Sequence, residues 1–133
     1  MNIAKIMTPK VFTVLLHENN TVRQGYELMK EKGYTAIPVL DSEERYAGAV
    51  TEGDFLRFLM DMKEENCDVR DKTRIGSIMR PSFCRPIHID ADEDAVINAI
   101  IQQNFVPVVD SQEALCGIVT RKKVIEYLAG RLD

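Results

Sequence analysis

Residues 33–54 read Gly33-Tyr34-Thr35-Ala36-Ile37-Pro38-Val39-Leu40-Asp41-Ser42-Glu43-Glu44-Arg45-Tyr46-Ala47-Gly48-Ala49-Val50-Thr51-Glu52-Gly53-Asp54, and the same order of residue types returns at 104–123 as NFVPVVDSQEALCGIVTRKK. In each copy an apolar segment holding a proline runs into an aspartate. A polar turn follows, and a second apolar segment closes on glycine, two apolar residues and threonine. Pro38 and Pro107, Asp41 and Asp110, Gly48 and Gly117, and Thr51 and Thr120 all stand 69 positions apart, as the difference of their residue numbers shows. Farther upstream, Ile6-Met7-Thr8-Pro9 answers Ile78-Met79-Arg80-Pro81 at an offset of 72, so the second copy is three residues shorter between its first helix and its first sheet strand. Self-similarity at a fixed offset marks a repeated unit that cannot bury its apolar face alone.

Local signals extend this pair into two whole units. Ile3 to Met7 suits a short helical turn ended before Pro9, because proline drives its predecessor out of the helical region. Val11 to Leu16 is apolar and β-branched enough for a first strand. Thr21-Val22-Arg23-Gln24 has the form of a capping box. With Val22, Tyr26, Leu28 and Met29 at helical spacing and Gly33 as a left-handed end, it predicts a helix over 21–32. Ala36 to Leu40 reads as a buried strand, with Pro38 requiring either an edge position or a place where no donor is needed. Tyr46 to Val50 returns antiparallel after the short turn at 41–45. Thr51 and Asp54 suit the start of a helix whose apolar face holds Phe55, Leu59 and Met62, flanked by Leu56 and Phe58. The second unit repeats the order with a turn at 75–79, a strand at 86–89 and a helix at 92–103 carrying Val96, Ile97, Ala99, Ile100 and Ile101. Strands at 106–109 and 115–119 and a helix at 121–129 complete it. Each unit is strand, helix, strand, strand, helix. The expectation is an α/β (α+β) fold of two repeats, 1–62 and 75–133, joined by a charged linker at 63–74. Stacked sheet to sheet, they would share a core and leave clefts related by a pseudo-twofold axis.

With 133 residues, 45% of them hydrophobic, the chain can build one compact core. Its 17 basic and 21 acidic residues give a net charge of −4, which argues against general nucleic-acid binding. Cys67, Cys84 and Cys116 are odd in number and widely spaced, so neither a disulfide framework nor a zinc site is indicated. Without a signal-peptide core or a membrane-length apolar run, the sequence predicts a soluble, cytoplasmic protein. Asp41 to Glu52 starts and ends like a calcium loop but has Tyr46 at the sixth position, where the turn wants glycine. His17 and His88 have no second ligand nearby, no cysteine is marked as a nucleophile, and glycine-rich phosphate loops are absent. No metal, required cofactor or catalytic residue is predicted, and an enzyme is the weaker hypothesis.

The repeated units, with Gly48-Ala49-Val50-Thr51-Glu52-Gly53-Asp54 closing the first, resemble the CBS-domain family, whose paired modules are called Bateman modules. The resemblance spans nearly the whole chain. It implies an adenine nucleotide between the repeats, with threonine and aspartate at a helix start holding ribose or phosphate. Physically, helix amides favour phosphate, and a carboxylate accepts bonds from ribose hydroxyls. The second repeat departs from the first by placing Arg121, Lys122 and Lys123 after Thr120, three cations that oppose the helix dipole and that a bound phosphate would offset. A solvated basic turn is the plainer alternative.

Gly33 to Asp41 together with Gly117-Ile118-Val119-Thr120-Arg121-Lys122 is similar to the small stand-alone CBS-pair receptors for cyclic di-AMP, the group called DarB or CbpB. That likeness implies a basic cleft of Lys10, Val11, Phe12, Tyr34, Thr35, Ala36, Thr120, Arg121 and Lys122, with Arg121 gripping phosphate through its fork and Lys122 adding a point charge. For Tyr34, core packing with the hydroxyl at the surface is the alternative. The opposite cleft would combine Thr51 and Asp54 with Arg85, Pro86, Ile87, Phe105 and Val106. It suits a ribose, such as that of AMP, ADP or ATP, or is empty. The family likeness also implies a homodimer built through the helices, whose stripes at 51–62 and 121–129 should be partly exposed in a monomer, and a separate regulated partner protein. The competing expectation is a ligand-free docking dimer.

Overall fold

The computed structural model describes residues 1–62 and 71–130. Helix α1 (Ile3–Ile6), strand β1 (Thr8–Pro9) and a 3-10 turn (Lys10–Phe12) open the chain. The first repeat continues as β2 (Leu16–His17), α2 (Val22–Lys32), β3 (Ala36–Leu40), β4 (Tyr46–Thr51) and α3 (Glu52–Asp61). After α4 (Ile75–Ile78), the second runs β5 (Ile87–His88), α5 (Glu93–Gln102), β6 (Phe105–Val109), β7 (Leu115–Thr120) and α6 (Arg121–Gly130). This mixed α/β order is the expected one in both repeats. Among the described residues no helix is long and apolar enough to cross a membrane. Part of the expected linker, residues 63–70 with Cys67, lies outside the described residues.

The compact units do not coincide with the sequence repeats. One comprises 14–83 and the other 1–13 with 84–133, so each repeat lends its leading segment to its twin's core. In the first unit, Leu16, Val22, Met29, Ile37, Val39, Val50 and Phe55 pack around Ile75 of α4. In the second, Val96, Ile100, Val106, Val108, Val119 and Val124 pack around Ile3 of α1. Ile3 and Ile75 are related by the offset of 72 read from the sequence. Gly25 makes room for the latter, since a β-carbon there would lie 2.5 Å from the Ile75 Cδ1.

The first unit carries a three-stranded sheet in the order β2-β3-β4, and the second a four-stranded sheet in the order β1-β7-β6-β5. The proline strand is therefore central, not at an edge. Pro38 is tolerated because β2 reaches only Val39 and Leu40, leaving the proline beyond its end. The first strand is also shorter than expected over 11–16. Pro9 and the Thr13 hydroxyl, which donates to the Pro9 carbonyl at 2.9 Å, close a 3-10 turn that leaves Val11 and Phe12 about four-fifths exposed. The three missing residues are split. Leu16 and Ile87, paired with Val39 and Val108, differ by 71 positions, so one residue is lost before β5 and two at the end of α5. There α2 ends on Gly33 in the left-handed region (φ 71°), whereas α5 ends on an extended Gln103.

Helix starts follow the sequence. Thr21 and Thr51 each cap a helix in a two-way box, with Gln24 and Asp54 bonding back. The helix stripes at 51–62 and 121–129 are partly exposed, as expected of a single chain: Phe55 is buried, while Leu56, Leu59 and Met60 of α3 and Ile125 of α6 are exposed, as is Ile101 of α5.

Candidate functional site

The segments that carry the predicted residues are built alike in the two units. At the end of β4 the Glu52 amide donates to the Thr35 carbonyl, and at the end of β7 the Arg121 amide donates to the Asn104 carbonyl, both at 3.0 Å. The hydroxyls of Thr51 and Thr120 then accept from the amides of Asp54 and Lys123, both at 3.2 Å. A threonine thus caps each following helix with its side chain, and three residues later the chain carries aspartate in one unit and lysine in the other.

Six residues of the expected basic cleft fall in the unit that holds 1–13 and 84–133. β1 pairs with β7 through Thr8 opposite Ile118 and Pro9 opposite Gly117, and the Lys10–Phe12 turn packs beside that strand. Gly117 permits the approach, because a β-carbon there would lie 2.3 Å from the Thr8 carbonyl oxygen. Lys122 and Lys123 are exposed at the start of α6. Arg121 is engaged differently from the expectation of a phosphate grip. Its Nε donates to the Ile100 carbonyl at 3.1 Å and its Nη2 to those of Ile101 and Gln103 at 3.3 and 3.2 Å, closing the carbonyl end of α5. Its charge therefore meets the negative end of a neighbouring helix, which accounts for a cation at a helix start without a ligand.

Tyr34, Thr35 and Ala36 lie in the other unit. Tyr34 is half exposed and lines a groove of about 360 Å³ between α2 and α3, with Tyr26, Phe55, Leu56 and Leu59. Tyr26 meets Phe55 edge to face with centroids 6.2 Å apart.

Of the residues expected at a ribose, Thr51 and Asp54 occupy one unit and Arg85, Pro86, Ile87, Phe105 and Val106 the other. Val106 is wholly buried, so it offers no surface to a ligand. Gln103, which sequence reading passed over, ties its neighbours together. Its Nε2 donates to the carbonyls of Arg85 and Phe105, both at 3.1 Å, and its Oε1 accepts from the Arg85 amide at 3.1 Å. Among the described residues of its unit Asp54 is the buried charged one, 1% exposed. Its Oδ2 accepts from the Thr51 amide at 2.8 Å, and its Oδ1 accepts from Arg57 Nη2 and, at 3.1 Å, from Arg80 Nε. Arg57 was legible as a cation three residues after the aspartate on one helix face. Arg80, from the distant segment bridged to Ala49 of β4, was not.

The polar turns repeat in detail. Asp41 Oδ1 accepts from the amides of Glu43 and Arg45 at 2.8 and 3.0 Å, and Asp110 Oδ1 from those of Gln112 and Ala114 at the same distances. Glu44 and Glu113 hold positive φ angles of 63° and 67°. The Arg45 amide first, helped by the Glu43 amide and the Arg45 guanidinium, lowers the Asp41 pKa against the effect of burial. Burial, then the Asp110 charge, raises that of Cys116. Among the described residues no group of three histidine, cysteine or acidic side chains is placed to hold a metal.

Comparison with known proteins agrees with this architecture. The Bacillus subtilis (strain 168) protein named Cyclic di-AMP receptor B is 25% identical over 109 residues, covering 82% of this chain and 74% of that one. The structure of Listeria monocytogenes CbpB in complex with c-di-AMP superposes with a TM-score of 0.85 at 22% identity, over 99% of this chain and 98% of that one. CBSX2 in complex with AMP gives a TM-score of 0.78 at 25% identity, again over 99% and 98%. The CBS domain model matches twice, at residues 3–61 and 75–130, and the chain belongs to the CBS-domain family as a tandem pair.

Proposed function

We propose that this protein is a regulatory sensor of an adenine nucleotide, with cyclic di-AMP its first candidate ligand, acting on a separate partner protein in the cytoplasm. The observation that carries the reading is the exposed charge at the start of α6: in a chain of net charge −4, Lys122 and Lys123 follow a capping threonine and Arg121, whose own charge is met by α5. Phosphate bound there would offset an otherwise unfavourable array of cations at a helix N-terminus. The relatives named for or solved with cyclic di-AMP support the choice of ligand. Thr120, Lys122 and the exposed apolar turn at Val11 and Phe12 supply a hydroxyl, a cation and apolar surface for a nucleotide. Arg121 contributes by holding α5 in place beside them. Bound ligand would then shift the population of a surface that the partner reads, which requires unequal affinity for the two states. Self-association through the exposed apolar residues of α3 and α6 belongs to the same reading, as does regulation without catalysis.

AMP, ADP or ATP is the second reading, favoured by the second capping threonine, Thr51, and by the relative solved with AMP. Isothermal titration of the nucleotide-stripped chain with cyclic di-AMP, AMP and ATP tests both. We expect cyclic di-AMP to bind, and Lys122→Glu to weaken it at least tenfold with no change in melting temperature. Binding of AMP or ATP alone would favour the second reading. Heat from none of the three would leave a docking dimer that binds no nucleotide.

A further inference from the structure

Gln103 is held within the chain much as a ligand would be. Its carboxamide faces the backbone of separate segments of its own unit: Oε1 accepts from the Arg85 amide, and Nε2 donates to the carbonyls of Arg85 and Phe105, all at 3.1 Å. A glutamine amide has two N–H donors and one carbonyl, so both donors and the acceptor are committed to three main-chain groups. Arg85 is exposed, and Gln103 and Phe105 are only partly buried. These groups therefore lie where a solute could reach them once the side chain is withdrawn. The main chain of Gln103 is fixed as well. Its amide donates to the Ala99 carbonyl at 3.0 Å, and its carbonyl accepts from Arg121 Nη2 at 3.2 Å.

The first repeat is built differently at the same place. Leu16 and Ile87 match at an offset of 71, which makes Val14 the counterpart of Arg85. Ala36 and Phe105, each opposite a threonine, match at 69. Among the described residues Val14 makes no hydrogen bond through its amide or its carbonyl. Tyr34 holds the position of Gln103 at that offset and lies in the groove between α2 and α3. The fold thus closes without a side chain across these groups. The shorter end of α5, with Gln103 extended where α2 runs on to a left-handed Gly33, sets a carboxamide over them in one repeat alone.

We propose that Gln103 is a built-in plug, occupying in the second repeat a main-chain frame that would otherwise take the amino-bearing edge of an adenine base. The match is one of order and count. Adenine sets a ring nitrogen that accepts beside an amino group that carries two N–H donors, which is the arrangement of the carboxamide itself. Hypoxanthine has a carbonyl in place of that amino group and offers no such pair. Because the plug is tethered, it competes with any free nucleotide at a high effective concentration. The proposal rests on the adenine-sensor reading for its choice of base, and deepens it by closing one of the two repeats to that base.

Amide chemical shifts of the isotope-labelled full chain provide the test, with adenosine as the probe and inosine as the control. In the wild-type chain adenosine should leave the Arg85 amide unmoved, whatever it shifts elsewhere. In Gln103→Ala and Gln103→Ser the Arg85 amide should move saturably with adenosine, and with inosine only at about tenfold higher concentration, as the loss of a hydrogen bond warrants. Movement of the Arg85 amide in the wild type, its silence in either variant that keeps the wild-type spectrum elsewhere, or an equal response to inosine would overturn the proposal. Unfolding of both variants would do the same by giving Gln103 a purely structural role. Cyclic di-AMP titration of the wild type separates the two readings. No dinucleotide binding there, with adenosine taken up by Gln103→Ala, would count against the dinucleotide alone; dinucleotide binding with a silent Arg85 amide would count against the plug alone.

Discussion

Arg121 stands at the first position of α6, yet its guanidinium reaches the last carbonyls of α5, and this decides what its mutation reports. Arg121→Ala is expected to cost about 1–3 kcal/mol of stability, from lost bonds to a charged donor, whatever the protein binds. Thermal unfolding would check this; an unchanged midpoint would refute the structural role. Gly117 is equally constrained, because any β-carbon would strike the Thr8 carbonyl oxygen at 2.3 Å. Gly117→Ala should therefore cost roughly 1–3 kcal/mol or more and free β1 from β7, while Gly130→Ala, with open space around it, should cost little. Both are measurable by denaturant unfolding.

At the scale of elements, the 41–45 turn is held by a carboxylate whose pKa is lowered in the folded state by the amides it accepts from. The sign follows from linkage: the bonds stabilise the fold above the unfolded aspartate value of about 3.9, and that stabilisation is lost as pH falls through the lower folded value. The stability gap between wild type and Asp41→Asn should thus shrink below about pH 4. A gap unchanged at about pH 2 would mean that the charge is not what holds the turn. The groove between α2 and α3 is the other feature of this scale. Leu59 is 44% exposed there, and on the proposed self-association Leu59→Glu is expected to leave a monomer in light scattering, with no loss of fold, where the unsubstituted chain scatters as a dimer.

For the whole molecule, the exchange of leading segments predicts crossed effects. Ile75→Ala, by emptying a fully buried site, should cost about 2–5 kcal/mol and loosen the unit built on the first repeat, although Ile75 belongs to the second. Ile3→Ala should do the converse to the unit holding Val96 and Val119. Hydrogen exchange resolved by residue would show which amides lose protection; loss confined to each residue's own repeat would contradict the exchange. A chain divided at the linker should for the same reason leave both halves without a core residue.

The sequence by itself determined the repeat, the order of elements in it, the capping box at Thr21, the helix start at Thr51, the left-handed end at Gly33 and the polar turns that follow the two aspartates. All of these rest on local chemistry or on periodicity that a linear reading displays. It also located the threonine turns and the basic start of α6. Tertiary structure alone decided the central place of the proline strand, which depends on how far a neighbouring two-residue strand extends. It decided as well which unit each leading segment joins, since Ile3 and Ile75 fit either core equally well by composition. The same holds for Asp54 and Arg121: their types suggested ribose and phosphate, but their partners, Arg80 and the carbonyls of α5, lie 26 and about 20 residues away. Charge at such separations is placed by packing, and nothing in the local sequence records it.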